Sequence, residues 1–185
     1  MADQILVTNS KVCTGCRTCE IVCSLSHEGE INPQKARIRV LQEEEHGLDV
    51  PVVCQQCSFT ICRNVCPAKA ISRDKDTGAM LIDPEKCTGC EVCVYACFFG
   101  AIKIRREGNK RKAFVCDLCG GDPMCAKFCD TRAVAYLPKD QVILEKKSES
   151  MRETLFHIGR INPNSHESRL LARITAVRGT SSDAK

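Results

Sequence analysis

The chain has 185 residues, enough for one ordinary domain or two small ones. Tryptophan is absent, aromatics make up 4%, and sixteen residues are cysteine, so the fold needs a covalent or metal-centred nucleus where large apolar side chains are missing. A formal charge of +4 taken alone could suit a nucleic-acid partner, but no basic patch interleaved with aromatics supports one.

Met1-Ala2-Asp3-Gln4-Ile5-Leu6-Val7 carries no basic leader, long apolar run or twin arginine, and no segment reaches the length of a membrane span. A cytoplasmic, reducing setting without a membrane partner is expected, and disulfides are disfavoured there. A strand is predicted over 4–8 and leads into a first cysteine quartet, Cys13, Cys16, Cys19 and Cys23, spaced x2-x2-x3. Between the third and fourth cysteines of this and every later quartet there is room for one helical turn. A polar loop holding His27, Gly29 and Pro33 follows, then a strand over 36–41. The second quartet is Cys54, Cys57, Cys62 and Cys66, spaced x2-x4-x3. Asp74-Lys75-Asp76-Thr77-Gly78 reads as a hairpin turn before a strand over 79–82. The third quartet, Cys87, Cys90, Cys93 and Cys97, repeats the x2-x2-x3 spacing. A strand over 101–105 and a turn at Glu107-Gly108-Asn109 lead to the fourth, Cys116, Cys119, Cys125 and Cys129, spaced x2-x5-x3.

The flanks repeat as well. Leu6-Val7-Thr8-Asn9 precedes the first quartet as Met80-Leu81-Ile82-Asp83 precedes the third, and Pro51-Val52-Val53 precedes Cys54 much as Ala113-Phe114-Val115 precedes Cys116. Ala70-Ile71, Ala101-Ile102 and Ala133-Val134 follow the last cysteines of three quartets, and the displaced counterpart after Cys23 is Ala36-Arg37-Ile38-Arg39-Val40. The chain thus reads as a doubled eight-cysteine unit with an insertion in its first copy. After Pro138 cysteine disappears. Ser150-Met151-Arg152-Glu153 reads as a capping box ahead of Leu155 and Ile158, and a second amphipathic stretch covers about 166–178. Residues 139–185 hold nine Lys/Arg and six Asp/Glu, whereas 1–138 hold eighteen and seventeen.

Cys87-Thr88-Gly89-Cys90-Glu91-Val92-Cys93-Val94-Tyr95-Ala96-Cys97 has the C-x2-C-x2-C-x3-C order that wraps a cubane iron–sulfur cluster. A structural zinc site wants two C-x2-C pairs a dozen or more residues apart and has no use for a third close thiolate. Sixteen thiolates divide evenly among four cubanes. Each 4Fe–4S core with its ligands adds about −2, so four would take the chain from +4 to about −4. Lys11, Arg17, Arg63, Lys69, Lys86 and Lys127 lie near ligands and are read first as solvated charges. His27, His46, His157 and His166 are read as surface residues, and Gly120-Gly121-Asp122 is too short for a dinucleotide fingerprint.

The quartets resemble those of bacterial two-cluster ferredoxins, and residues 1–137 are similar to the four-cluster iron–sulfur subunits of molybdenum and tungsten oxidoreductases, the dimethyl-sulfoxide-reductase and nitrate-reductase families among them. The x4 gap from Cys57 to Cys62 in the second quartet, with Cys66-Pro67 at its end, and the long gap from Cys119 to Cys125 carry the likeness. It implies an α+β fold of two interleaved bacterial-ferredoxin-like modules with small antiparallel sheets, plus a helical C-terminal extension. The outer module would comprise 1–48 and 106–137, the inner one 49–105, and the extension 138–185.

The resemblance also implies that a quartet's fourth cysteine serves its partner's cluster. The ligand sets would be Cys13, Cys16, Cys19 with Cys129; Cys54, Cys57, Cys62 with Cys97; Cys87, Cys90, Cys93 with Cys66; and Cys116, Cys119, Cys125 with Cys23. Pairing of quartet one with two and three with four is the alternative. The function implied is a non-catalytic electron relay with four 4Fe–4S clusters. It would connect a catalytic molybdenum or tungsten subunit, tungsten aldehyde oxidoreductase as best guess, with a flavin/NAD-linked subunit or a ferredoxin. Self-association through the extension is a further expectation. A free-standing polyferredoxin, or a subunit of a hydrogenase or carbon monoxide dehydrogenase system, is the alternative.

Overall fold

The structure, a computed structural model, describes residues 4–143. Eight short strands bracket the quartets: β1 (Gln4–Thr8), β2 (Arg39–Glu43), β3 (Leu48–Val52), β4 (Ile71–Arg73), β5 (Met80–Ile82), β6 (Lys103–Glu107), β7 (Lys110–Phe114) and β8 (Val134–Pro138). Four helices, α1 (Thr18–Glu28), α2 (Ile61–Asn64), α3 (Val92–Ala96) and α4 (Met124–Lys127), each carry cysteine. The fold is mixed α+β with small antiparallel sheets. One compact unit ends at Lys139 and another begins at Asp140. The capping box at Ser150, the amphipathic stretch over 166–178, His157 and His166 lie outside the described residues.

The sheets are four antiparallel pairs, β2–β3, β4–β5, β6–β7 and β1–β8. Each strand leaving a quartet pairs with the strand entering the next, and β8 closes on β1, with Thr8 opposite Val134 and Gln4 opposite Pro138. The paired flanks seen in sequence therefore have one structural meaning: β1 and β5 deliver the chain to quartets one and three, and β3 and β7 to quartets two and four. Gly108 and Asn109 form the two-residue loop of the β6–β7 hairpin, with Glu107 opposite Lys110. In the β4–β5 turn the Asp74 carboxylate accepts from the Thr77 amide at 2.9 Å and its hydroxyl at 2.6 Å.

Two buried groups underlie these pairs. Leu6, Ile38, Val40, Val53, Leu118 and Val134 pack with Cys19, Cys23, Cys116 and Cys125. Ile71, Met80, Ile102, Ala113 and Val115 pack with Cys93. Two-stranded sheets are marginal alone, so their stability depends on what these small cores enclose.

Three expectations need correction. The strand expected over 36–41 begins only at Arg39, because Ala36 and Ile38 turn into the core and the Arg37 amide is drawn to a cysteine sulfur. The polar loop after Cys23 begins later than expected: Thr18–Glu28 is helical until Gly29 takes the left-handed conformation. His27 therefore sits in the last turn of α1, with only 11% of its side chain exposed, and is not a surface residue.

Candidate metal centre

All sixteen cysteines are free thiols, gathered by fold into four groups. Cys13, Cys16, Cys19 and Cys129 line one cavity beneath Phe128 and Val134. Cys54, Cys57, Cys62 and Cys97 line a second, rimmed by Phe59, Phe98 and Phe99. Cys66, Cys87, Cys90 and Cys93 line a third. Cys23, Cys116 and Cys125 are buried where α1 and α4 pack, close enough to influence one another's ionisation, and His27 links Cys23 to Cys119.

Local backbone geometry gives each group its shape. The residue before the second cysteine of every quartet has positive φ: Gly15 (65°), Gln56 (48°), Gly89 (70°) and Leu118 (57°). Arg17 (57°) and Glu91 (65°) repeat the conformation just after the second cysteine of quartets one and three. Alternation of right- and left-handed residues turns successive amides toward a common centre, the concavity in which anionic groups and iron–sulfur cores are held. The Thr18 amide consequently lowers the Cys16 thiol below its ordinary range, and the Val92 amide does the same for Cys90.

The phrase that follows each quartet has a physical role. Past the fourth cysteine, Lys69, Gly100 and Arg132 are also left-handed, and the chain folds back so that an amide meets the sulfur. Ala70 donates to Cys66 Sγ, Ala101 to Cys97 Sγ and Val134 to Cys129 Sγ, each at 3.4 Å. After the insertion Arg37 does so to Cys23 Sγ at 3.2 Å. Such N–H donation stabilises charge on a thiolate.

Burial, reinforced by neighbouring thiols, works the opposite way on the inner cysteines. Cys19 and Cys125 are pushed up to about 12, and Cys54 and Cys93 to about 11. Metal-free protein therefore keeps these thiols protonated at neutral pH, whereas a metal binds the thiolate. Iron loading at pH 7 is expected to release protons, and apparent iron affinity to fall as pH is lowered. Loading in weakly buffered solution with a pH indicator checks this, and loading without proton release would contradict it. Convergent free thiols, amides aimed at sulfur and mutual repulsion among buried thiolates all fit a cationic, thiophilic group such as a 4Fe–4S core.

The six basic residues near ligands are all exposed. Arg17 donates to Gln42 at 2.6 Å, Lys86 pairs with Asp83 at 3.0 Å, and Lys127 pairs with Asp122. Other polar groups, which sequence reasoning missed, brace the cysteine loops. Arg73 donates to the carbonyls of Gln56, Cys57 and Gly78. Gln56 bridges two quartets, accepting from the Met80 amide at 2.7 Å and donating to the Cys116 carbonyl at 2.9 Å. Lys112 donates to the carbonyls of Pro84 and Cys87.

The His27 ring lies between the Cys23 carbonyl, 2.8 Å from Nδ1, and the Asp117 carboxylate, 3.0 Å from Nε2. Asp117 also pairs with the Arg37 guanidinium. The carboxylate, then the sulfurs of Cys119 and Cys23, hold His27 well above the ordinary histidine range. Burial opposes ionisation of Asp117, yet His27 and Arg37 outweigh it and keep the carboxyl low. Cys23 and His27 stand four apart, so a helical reading of 18–28 would have put them on one face.

Residues 46–140 match the 4Fe-4S dicluster domain family. The chain is 46% identical over 125 residues to the aliphatic sulfonate oxidoreductase, polyferredoxin-like subunit, of Pyrococcus furiosus, covering 68% of this chain and 70% of that protein. It is 33% identical over 171 residues to the electron transport protein HydN of Escherichia coli, covering 81% and 95%. Among solved structures it is similar to a chain of the active site complex BamBC of benzoyl coenzyme A reductase in complex with zinc. That likeness has a TM-score of 0.42 and 20% identity, over 85% of this chain and 98% of that one.

Proposed function

The chain belongs to the family of 4Fe–4S dicluster, ferredoxin-type electron-transfer proteins, and from that premise we propose that it is the four-cluster relay subunit of an oxidoreductase complex. The observation that carries the reading is the gathering of sixteen free thiols into four groups whose neighbours are close enough to feel one another's charge. The proposed ligand sets are Cys13, Cys16, Cys19, Cys129; Cys23, Cys116, Cys119, Cys125; Cys54, Cys57, Cys62, Cys97; and Cys66, Cys87, Cys90, Cys93. A bound 4Fe–4S cluster supplies a one-electron couple with no change of ligands. The protein's part is to hold the sulfurs, donate amides to them and keep water away.

Adjacency sets the order of the wire. Cys19 bears on Cys125, and Cys54 bears on Cys116. Cys54, Cys62, Cys66, Cys87 and Cys97 all pack against the second buried group. Electrons would pass from the Cys13 set through the Cys23 set and the Cys54 set to the Cys66 set, or in reverse. Pairing of β1 with β8 and packing of α1 on α4 support an outer module of 1–48 and 106–137 enclosing an inner module of 49–105. The extension 138–185 is assigned to docking or self-association: four clusters would leave the cysteine-bearing body at about −7, against +3 for residues 139–185.

The likeness to a polyferredoxin-like subunit favours a relay inside a complex, with a molybdenum or tungsten catalytic subunit, tungsten aldehyde oxidoreductase first, on one side. A flavin/NAD-linked subunit or ferredoxin would stand on the other. Likeness to an electron transport protein favours the second reading, a free-standing carrier or a hydrogenase-linked subunit. Tagged full-length chain, purified anaerobically from its own cells, is expected to carry about sixteen irons and to bring with it a large subunit containing molybdenum or tungsten. A lone monomer with full iron would instead establish the carrier, and markedly fewer irons would end both readings. Among the described residues no helix is long and apolar enough to cross a membrane.

A further inference from the structure

We infer that His27, whose ring bridges the Cys23 carbonyl and Asp117 and stands against the sulfurs of Cys23 and Cys119, is a positioning residue that raises the reduction potential of the cluster held by Cys23, Cys116, Cys119 and Cys125. The inference rests on the four-cluster reading above and extends it to one named cluster. Both ring nitrogens face oxygen acceptors, Nδ1 at 2.8 Å from the Cys23 carbonyl and Nε2 at 3.0 Å from Asp117 Oδ1. Two acceptors call for two N–H groups, which only imidazolium carries. The same nitrogens stand 3.8 Å from Cys23 Sγ and 3.9 Å from Cys119 Sγ, so the charge is placed against two sulfurs of one set.

The surroundings keep the charge there. Arg37 closes on the other oxygen of Asp117, so one carboxylate is shared by two cations and the triad retains a net positive charge. Arg37 also sends its backbone amide to Cys23 Sγ at 3.2 Å. Cys23 is thus served by an amide and an imidazolium, whereas Cys66, Cys97 and Cys129 each receive one amide from the turn that follows them. Reduction adds one negative charge to the cluster, and a cation largely withdrawn from solvent against its ligands favours that state. A role confined to ending α1, a cation near the last carbonyls of a helix, would stabilise the fold and leave the potential alone.

The test is an anaerobic redox titration followed by EPR on cluster-loaded full-length protein, comparing wild type with His27→Gln, Arg37→Gln and Lys35→Gln. In His27→Gln one of four transitions is expected to move to lower potential by at least tenfold in its one-electron equilibrium, about 59 mV, with iron content and the other three unchanged. Arg37→Gln, which keeps the backbone amide and takes one charge from the triad, is expected to move the same transition the same way. Lys35→Gln, at an exposed cation paired with Glu30, is expected to move none. Four unmoved transitions in iron-replete His27→Gln would overturn the inference. Should His27→Gln lose iron, Arg37→Gln decides: a lowered transition supports it and four unmoved ones overturn it. Wild-type protein lacking four transitions would overturn the four-cluster reading and this inference with it.

Discussion

Cys97→Ala and Cys62→Ala are expected to abolish the same one-electron transition, although the two cysteines belong to different quartets. Each should cost about four of sixteen irons and leave the remaining three transitions in place. Cys97 lies at the end of α3, whose backbone turns its sulfur into the cavity shared with Cys54, Cys57 and Cys62. Its charge bears directly on Cys54 and Cys62. Cys93, one helical turn earlier, is instead placed with Cys66, Cys87 and Cys90. Cys93→Ala should therefore remove a different transition, the one lost in Cys66→Ala. Iron and sulfide analysis with EPR of each variant reads the result. A Cys97→Ala protein missing the transition lost in Cys93→Ala would mean that quartets bind alone. One missing the transition lost in Cys125→Ala would mean that quartets three and four share a module.

Gly89→Ala is expected to destabilise the protein far more than Gly29→Ala, although both glycines have nearly the same φ. At Gly29 (φ +71°) a methyl group would meet nothing within 4 Å, so the substitution carries only the left-handed penalty of roughly 1–2 kcal/mol. At Gly89 (φ +70°) it would stand 2.2 Å from the Arg111 carbonyl oxygen, a backbone atom of β7 that no rotamer can move. Overpacking of this kind adds about 1–3 kcal/mol. Retreat of β7 would also pull the Ala113 amide from Cys87 Sγ and the Lys112 ammonium from the Cys87 carbonyl. The Cys66 set should then release iron fastest on dilution into chelator. Equal thermal midpoints and equal iron-release rates for the two variants would show that the approach of β7 is immaterial. Gly15 is a milder case, since its close neighbours are side-chain atoms of Asp49, which can turn to another rotamer.

Half of the strands were legible in sequence and half were not. Strands over 4–8 and 79–82 declared themselves through β-branched content, and β4 and β7 were implied only by the turns that precede their partners or follow them. Leu48–Val52 carries Asp49 and Pro51, and Lys110–Phe114 opens with three basic residues, so neither shows a clean two-residue alternation. They are strands because β2 and β6 lie beside them with matching register. His27 was misread for a similar reason: polarity described its neighbours in sequence, whereas Asp117 reaches it from ninety positions away.

From sequence alone came the sulfur chemistry, because thiolate spacing is a local property and a cubane needs its first three ligands from one short loop. The repeated Ala-Ile phrase was visible there too, though without a purpose. Tertiary structure decided which fourth sulfur stands in which cavity, why an amide follows each quartet, and where the His27 ring sits. Those outcomes depend on the closure of β8 on β1 and the packing of α1 on α4, contacts between elements at opposite ends of the cysteine-bearing sequence. Spacing along a chain carries no record of such meetings.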